Sequence, residues 1–245
     1  MIEPVQNITK SSFEKLYSSL RKKEGRIYTD TELLQLPNVA ITHQHYKEWK
    51  ARKVSSQELI HYLIKQNRPL DILEIGCGNG WLSHRLSAIP ASTVIGLDIN
   101  SEELKQAINV FGNIPNLSFI YGDIDSGVLI NQKFDVIVFA ASIQYFPVLT
   151  EIISRSLTLL KPVGEIHILD SHFYSLAEAD TARQRSLRYY ETIGFPEMAD
   201  WYFHHRLDEL NSFNYSILYN PKNLFNKFLK SKYPFYWVRI LQKEN

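Results

Sequence analysis

The sequence predicts a single α/β domain: a doubly wound sheet of seven strands, mostly parallel, with an antiparallel last strand and helices on both faces. Three observations carry this. Between residues 70 and 170, five short apolar runs alternate with segments of helical periodicity. The first run, "DILEIG", opens into a turn with three alternating glycines, Gly76, Gly78 and Gly80. The chain then closes with two stretches of period-two alternation, "FNYSILY" and "PFYWVRIL", which can pair antiparallel.

Residues 1–54 are charged and helical in pattern ("FEKLYSSLRKKEGR", "ITHQHYKEWKARKVS") and too polar for a core of their own, so a lid or brace is expected. A helix from Ser55 sets Leu59, Ile60, Leu63 and Ile64 on one face and stops before Pro69. After the glycine turn, Leu82, Leu86 and Ile89 mark a helix, and "STVIGLD" a strand ending at Asp98. Asn100 with Glu103 reads as a capping box for a helix bearing Leu104, Ala107, Ile108 and Phe111. "LSFIYGD" is the third strand. "FDVIVFAA" is nearly all apolar, as a central parallel strand buried on both faces must be. Leu149, Ile152, Ile153, Leu157 and Leu160 form the stripe of the next helix, ended by Lys161-Pro162-Val163-Gly164, and "GEIHILD" is the fifth strand. Residues 171–205 are irregular and helical and crowded with aromatics. "NPKNLFNKFLKSKY", with Lys222, Lys227, Lys230 and Lys232, reads as a solvated connecting helix.

Composition narrows the partners. Basic and acidic side chains nearly cancel, 27 against 26, so no overall field draws the chain to nucleic acid or an anionic membrane, and a small-molecule partner is expected. The single cysteine, Cys77, excludes an internal disulfide framework and a Cys-based zinc cluster. No window approaches a transmembrane span, and the charged amino terminus lacks a signal-peptide pattern, so a soluble cytoplasmic protein without integral membrane association is expected. His43 and His45 lack the acidic or thiolate neighbours of a metal site, and no metal is expected.

The glycine turn admits several nucleoside ligands. A dinucleotide fingerprint needs a glycine where this chain has Trp81, and a phosphate-binding P-loop needs a lysine that "GWLS" lacks. Glu74, two residues before Gly76, would repel a pyrophosphate and suits a cationic ligand. Asp98 follows Gly76 by about twenty residues, the separation βαβ geometry imposes on a ribose-binding acid.

With Glu74, the glycines, Asp98, "YGDI", "FDVIVFAASIQYF" and "LKPVGEIHILD" in place, the sequence resembles the class I S-adenosylmethionine-dependent methyltransferases, in their small-molecule type 11 branch, over residues 70–170. The resemblance implies a Rossmann-like sheet and S-adenosylmethionine as cofactor, held by Glu74, Gly76, Cys77, Gly78, Gly80, Asp98, Ile99, Asp123, Ile124, Ala140 and Gln144. Asp98 would take the ribose hydroxyls, Asp123 the adenine amino group, and Ile124 would pack on the ring. It implies methyl transfer to an oxygen or nitrogen of a small acceptor, and the aromatic segment 195–205 suggests that this acceptor is aromatic or lipid-like. A non-catalytic cofactor-binding protein and an NAD-linked oxidoreductase stand as alternatives. The single domain 1–245 would comprise an N-terminal lid or brace (1–54), a cofactor-binding core (55–170), a substrate-side cap (171–212) and closing antiparallel strands (213–245).

Tyr145, Asp170 and His172 are the catalytic candidates. Gln144 and Tyr145 stand where related enzymes often carry a histidine or an acid, so Tyr145 either faces the methyl group or packs. His172 could act as a base oriented by Asp170, with turn capping as the structural alternative. Cys77 is expected to pack within the loop. His204 and His205 could reach an acceptor or pack, and Tyr46 and Trp49 could close over the cofactor or face the core.

Overall fold

The computed structural model describes residues 5–223 and 233–242, with side chains from Ser12 onward. The strands are β1 (Leu70–Ile75), β2 (Ser92–Asp98), β3 (Leu117–Tyr121), β4 (Phe134–Ala140), β5 (Leu160–Ser171), β6 (Asn214–Tyr219) and β7 (Tyr236–Leu241). They form one sheet in the order β3-β2-β1-β4-β5-β7-β6. Pairs β1–β2, β1–β4, β2–β3 and β4–β5 are parallel, and β7 runs antiparallel to both β5 and β6. The expected seven strands and their antiparallel ending are therefore present. The order reverses between β1 and β4, so their carboxyl ends open a crevice there.

Alternation along the strands divides the core in two. Ile72, Val136 and Val138 face one cluster with Leu59, Leu63 and Trp49, while Leu73, Ile137 and Phe139 face the other with Ile152 and Ile153. Helices α3 (Tyr46–Ile64) and α4 (Trp81–Ser87) bury residues into the first cluster, and α6 (Leu149–Thr158) into the second. Helix α3 starts nine residues before Ser55, because Trp49, Ala51, Ser55, Ser56, Leu59 and Leu63 continue one buried stripe backward. Ile64 of α3 and Ile108 of α5 (Ser101–Phe111), expected on buried faces, are exposed. Each lies one residue past a buried position, about 100° further around the helix.

Asn100 caps α5 by accepting from the Glu102 and Glu103 backbone N–H groups. The Glu103 side chain does not complete the box; it turns toward Arg21 on α1 (Val5–Lys23) instead. "LKPVG" continues strand β5 through a register shift opposite Phe134–Val136, rather than ending α6 as a turn. At the base of the sheet Asp135 accepts from the Asp71 N–H at 2.8 Å and pairs with Lys161 at 2.7 Å and with Arg68. Buried His167 of β5 accepts at Nδ1 from Trp237 Nε1 of β7 at 3.0 Å.

The N-terminal segment does not stand apart. Tyr28, Leu33 and Leu36, flanking or within α2 (Asp30–Gln35), join the first cluster. Leu20 of α1 packs with Tyr190 of α7 (Leu176–Ile193) and Met198, against Tyr145 and Trp201. Helix α7 is longer and more regular than the aromatic-rich sequence suggested, opening on a Ser175–Glu178 capping box. Most of the lysine segment lies outside the described residues; Lys222 pairs with Glu178 at 2.7 Å. Among the described residues no helix is long and apolar enough to cross a membrane.

Phe139, fully buried in the central strand, tests this core. Phe139→Ala is expected to lower unfolding free energy by about 3 to 5 kcal/mol, through lost transfer energy and the cavity left behind. Urea denaturation checks it.

Candidate active site

The turn after β1 is held against its neighbours by close approach. Gly76 has φ +76°, and a Cβ added there would lie 2.5 Å from Ser142 Cβ, on the turn after β4. Ser142 Oγ donates to the Ile75 carbonyl at 2.6 Å, tying the two turns together. Gly76 and Cys77 both donate their N–H to the Leu97 carbonyl of β2. The Asp98 carboxylate accepts from Gly78 N at 2.7 Å and from Asn100 N at 2.7 Å, so the turns after β1 and β2 converge on one acid.

The crevice above these turns holds two adjoining chambers. One, of about 410 Å³, is lined by Asp98, Ile99, Asp123, Ile124, Phe146 and Trp201 among others. The other, of about 490 Å³, is lined by Glu74, Gln144, Asp170, His172, Arg185 and Tyr190 among others. Gly76, Gly78, Tyr17, Ala141 and Tyr145 border both. Each volume is in the range of a small-molecule pocket. Helix α1 roofs the junction: Tyr17 meets Tyr145 edge-on at 5.5 Å, and Tyr145 meets Tyr202 edge-on at 5.9 Å. Glu14 of α1 accepts from Ser101 N at 2.7 Å, and Asn100 Nδ2 donates to Ser18 Oγ at 3.1 Å.

The acids beneath the turn share one perturbation. Burial pushes Glu74 up to about 8, although Ser83 Oγ donates to it; nearby Asp98 adds to the rise. Burial, with repulsion from Glu103, pushes Asp98 up to about 6 against the pull of its backbone donors. Glu74 is therefore largely protonated at neutral pH in the unliganded protein. It repels phosphate less than the sequence suggested, and a cationic ligand would draw its proton off.

The family model for the methyltransferase domain matches residues 64–214, more than half of the chain. The chain belongs to the methyltransferase-domain family. A malonyl-[acyl-carrier protein] O-methyltransferase of Halalkalibacterium halodurans is 34% identical over 105 residues, covering 40% of this chain and 38% of that protein. An arsenite methyltransferase of Aquipseudomonas alcaligenes is 30% identical over 135 residues, covering 50% of this chain and 38% of that protein. The matched stretch thus spans less than half the length of these relatives. In fold, the chain is similar to magnesium protoporphyrin IX methyltransferase from Synechocystis PCC 6803 with bound SAH (TM-score 0.62, 15% identity, covering 97% and 100% of the two chains). It is also similar to the plantazolicin methyltransferase BpumL in complex with a monoazolic desmethylPZN analog and SAH (TM-score 0.59, 17% identity, covering 96% of each chain).

Within this methyltransferase domain most of the anticipated residues gather at the crevice. Glu74, Gly76, Cys77, Gly78, Ala140, Gln144, Tyr145, Asp170 and His172 border the larger chamber, and Asp98, Ile99, Asp123 and Ile124 the smaller. Gly80 borders neither. It has φ +77° at the start of α4, and a Cβ there would lie 2.6 Å from the Phe119 ring, so close packing of helix on strand requires the glycine. The Cys77 side chain is buried beneath the loop, next to Gly96, and burial raises its thiol pKa; it packs, as expected.

The expected Asp170–His172 pairing is not formed. Asp170 sits at a β5 bulge with φ +54°, and its carboxylate accepts from Ser55 Oγ of α3 at 2.7 Å. His172 contacts the rings of Phe235 and Tyr174, and burial with Arg185 and Lys222 nearby lowers its pKa, leaving a neutral imidazole on the chamber wall. Burial raises the Tyr145 pKa, so its phenol stays protonated. Gln144 is fixed between the Ala141 carbonyl and Ser171 Oγ. His204 hydrogen-bonds Ser186 and His205 the Ile143 carbonyl, and neither borders a chamber. Trp49 is buried at the larger chamber's edge, donating to Tyr28 OH.

Sequence reading missed the N-terminal contribution. Arg21, Glu24, Arg26, Glu48 and Arg52 all border the larger chamber. Arg26 pairs with Glu48 at 2.7 Å and Arg52 with Glu48 at 2.9 Å. The helical spacing of Glu48 and Arg52 was the available signal, but it also fits a solvated face.

Glu74 makes the site's electrostatics testable. Its stabilising contribution is complete below its ordinary value of 4.5 and is lost as pH rises through about 8. The melting temperature of the unliganded wild type is therefore expected to fall relative to Glu74→Gln between about pH 6 and pH 9, by at least about 3 °C. Scanning calorimetry across that range checks it; parallel curves would contradict it.

Proposed function

We propose that this methyltransferase domain transfers the methyl group of S-adenosylmethionine to an oxygen or nitrogen of a small acceptor, aromatic or lipid-like in character. The observation that carries the reading is the pair of chambers meeting at Gly76 and Ala141, one ended by the anchored carboxylate of Asp98 and the other walled by His172 and tyrosines. The names of the relatives, which include several O-methyltransferases, agree with it.

The residues fit the cofactor. Backbone N–H groups fix the Asp98 carboxylate, leaving lone pairs to accept from the two ribose hydroxyls. Ile99 and Ile124 supply apolar walls for the adenine, and Asp123 an acceptor for its amino group. The glycine turn lets a ligand approach the backbone, and Glu74 beneath it complements positive charge. When bound, the cofactor supplies a sulfonium-activated methyl group open to in-line displacement.

The protein's own work is then positioning. Gln144, locked at both ends of its amide, and Tyr145, held between Tyr17 and Tyr202, wall the junction and exclude water from it. Such alignment is worth roughly 7 to 11 kcal/mol of barrier. His172 is neutral and faces the acceptor chamber, so it can take a proton from a hydroxyl acceptor without an orienting acid. Tyr145 serves as wall and hydrogen-bond donor, and Asp170 braces β5 against α3. Residues 1–54 act as a lid or brace and 171–212 as the acceptor-side cap. A cytoplasmic setting suits the lone buried thiol.

Asp98→Ala is expected to weaken S-adenosylhomocysteine by at least about 100-fold in calorimetric titration, two hydrogen bonds to a charged group being lost. Its far-UV circular dichroism should remain that of the wild type. Stabilisation of the wild type by NAD but not by S-adenosylhomocysteine in a thermal-shift panel would overturn the reading in favour of an oxidoreductase. Cofactor binding with no S-adenosylhomocysteine released in any acceptor mixture would leave a binding protein.

A further inference from the structure

Helix α1 lies outside the span matched by the family model, yet it delivers a buried guanidinium to the glycine turn. The Arg21 side chain is only 15% exposed and borders the larger chamber with Gly76 and Gly78. Its Nε is buried with no hydrogen-bond partner. Among the described residues the one carboxylate within 4.0 Å is Glu103, at 3.7 Å from Nη2, too far for a hydrogen bond. Arg26 and Arg52 in the same chamber are closed by Glu48 at 2.7 and 2.9 Å. Burying a guanidinium is costly unless its donors are used, so a cavity-facing arginine left in this state marks a place for an anion.

The anion's identity follows from what lies around it. Glu103 Oε2 is 3.0 Å from where a Cβ on Gly78 would be, so the Arg21–Glu103 pair sits at the turn itself. Glu74 lies buried before the same turn. Acids and one guanidinium thus meet at the glycines, Glu74 beneath the turn and Arg21 above it, which is the complement of a zwitterion carrying an ammonium and a carboxylate. The methionine end of S-adenosylmethionine is such a zwitterion.

Resting on the methyltransferase reading, we propose that Arg21 receives the carboxylate of the cofactor's methionine moiety and thereby fastens α1 over the occupied crevice. A bidentate contact would use the planar fork that Glu103 leaves unsatisfied. The roof of the site is then completed by the ligand it covers.

Calorimetric titration of wild type and Arg21→Ala with S-adenosylhomocysteine and with its decarboxylated analogue tests this, the analogue keeping the ammonium and lacking the carboxylate. Arg21→Ala should weaken S-adenosylhomocysteine by about 10- to 100-fold and the analogue by less than about threefold, with Arg21→Lys intermediate. Equal losses for both ligands, or no loss for either, would overturn the assignment alone. Wild type that binds neither would overturn the methyltransferase reading and the assignment together. Arg21→Gln, closer in size, repeats the comparison if the alanine variant does not fold.

Discussion

Between Gly76 and Ser142 there is no room for one more carbon. This contact, at the point where the strand order reverses, fixes how the turns after β1 and β4 face each other. Ser142 closes the gap with a hydrogen bond to Ile75, and the Gly76 and Cys77 amides close another with Leu97. Asp98, Glu74, Ala141 and Gln144 are then placed by strands buried deep in the core rather than by mobile loops. A site built on rigid elements keeps its geometry through a catalytic cycle.

The same convergence carries an electrostatic cost. Glu74, Asp98 and Asp170 are all desolvated, and burial raises the pKa of each. None is closed by a full ion pair among the described residues; hydroxyls and backbone amides partner them instead. By contrast Asp135, at the opposite end of the sheet, is neutralised by Lys161 and Arg68. The molecule therefore keeps uncompensated acid at the crevice and compensated acid at its base, as expected where stability is given up for binding.

The sheet was legible because strands and helices announce themselves by period, and because the nearly continuous apolar run of β4 needs cover on both faces. The turn was legible because glycines at three alternate positions have few uses, although only the structure shows that Gly80 serves Phe119 and not the crevice. What failed depended on direction. Asp170 and His172 are near in sequence, but a left-handed residue at a bulge turns the carboxylate to Ser55, and no local pattern reports that. Likewise Arg21 and Arg26 were passed over because their partners, Glu103 and Glu48, are tertiary; a charged helix looks the same whether water or a cavity lies beneath it.

Far from the crevice, the hydrogen bond between Trp237 and His167 has a consequence for how the chain ends. It joins β5 to the one antiparallel strand across the dry interior of the sheet, where either group left alone would be penalised. Sliding β7 by one residue would turn Trp237 to the other face, and sliding it by two would strand the imidazole. The alignment of β7 on β5 is thus written into a matched pair of rings as well as into the backbone ladder, so that the side chains at the centre of the sheet and the hydrogen bonds along it select the same register.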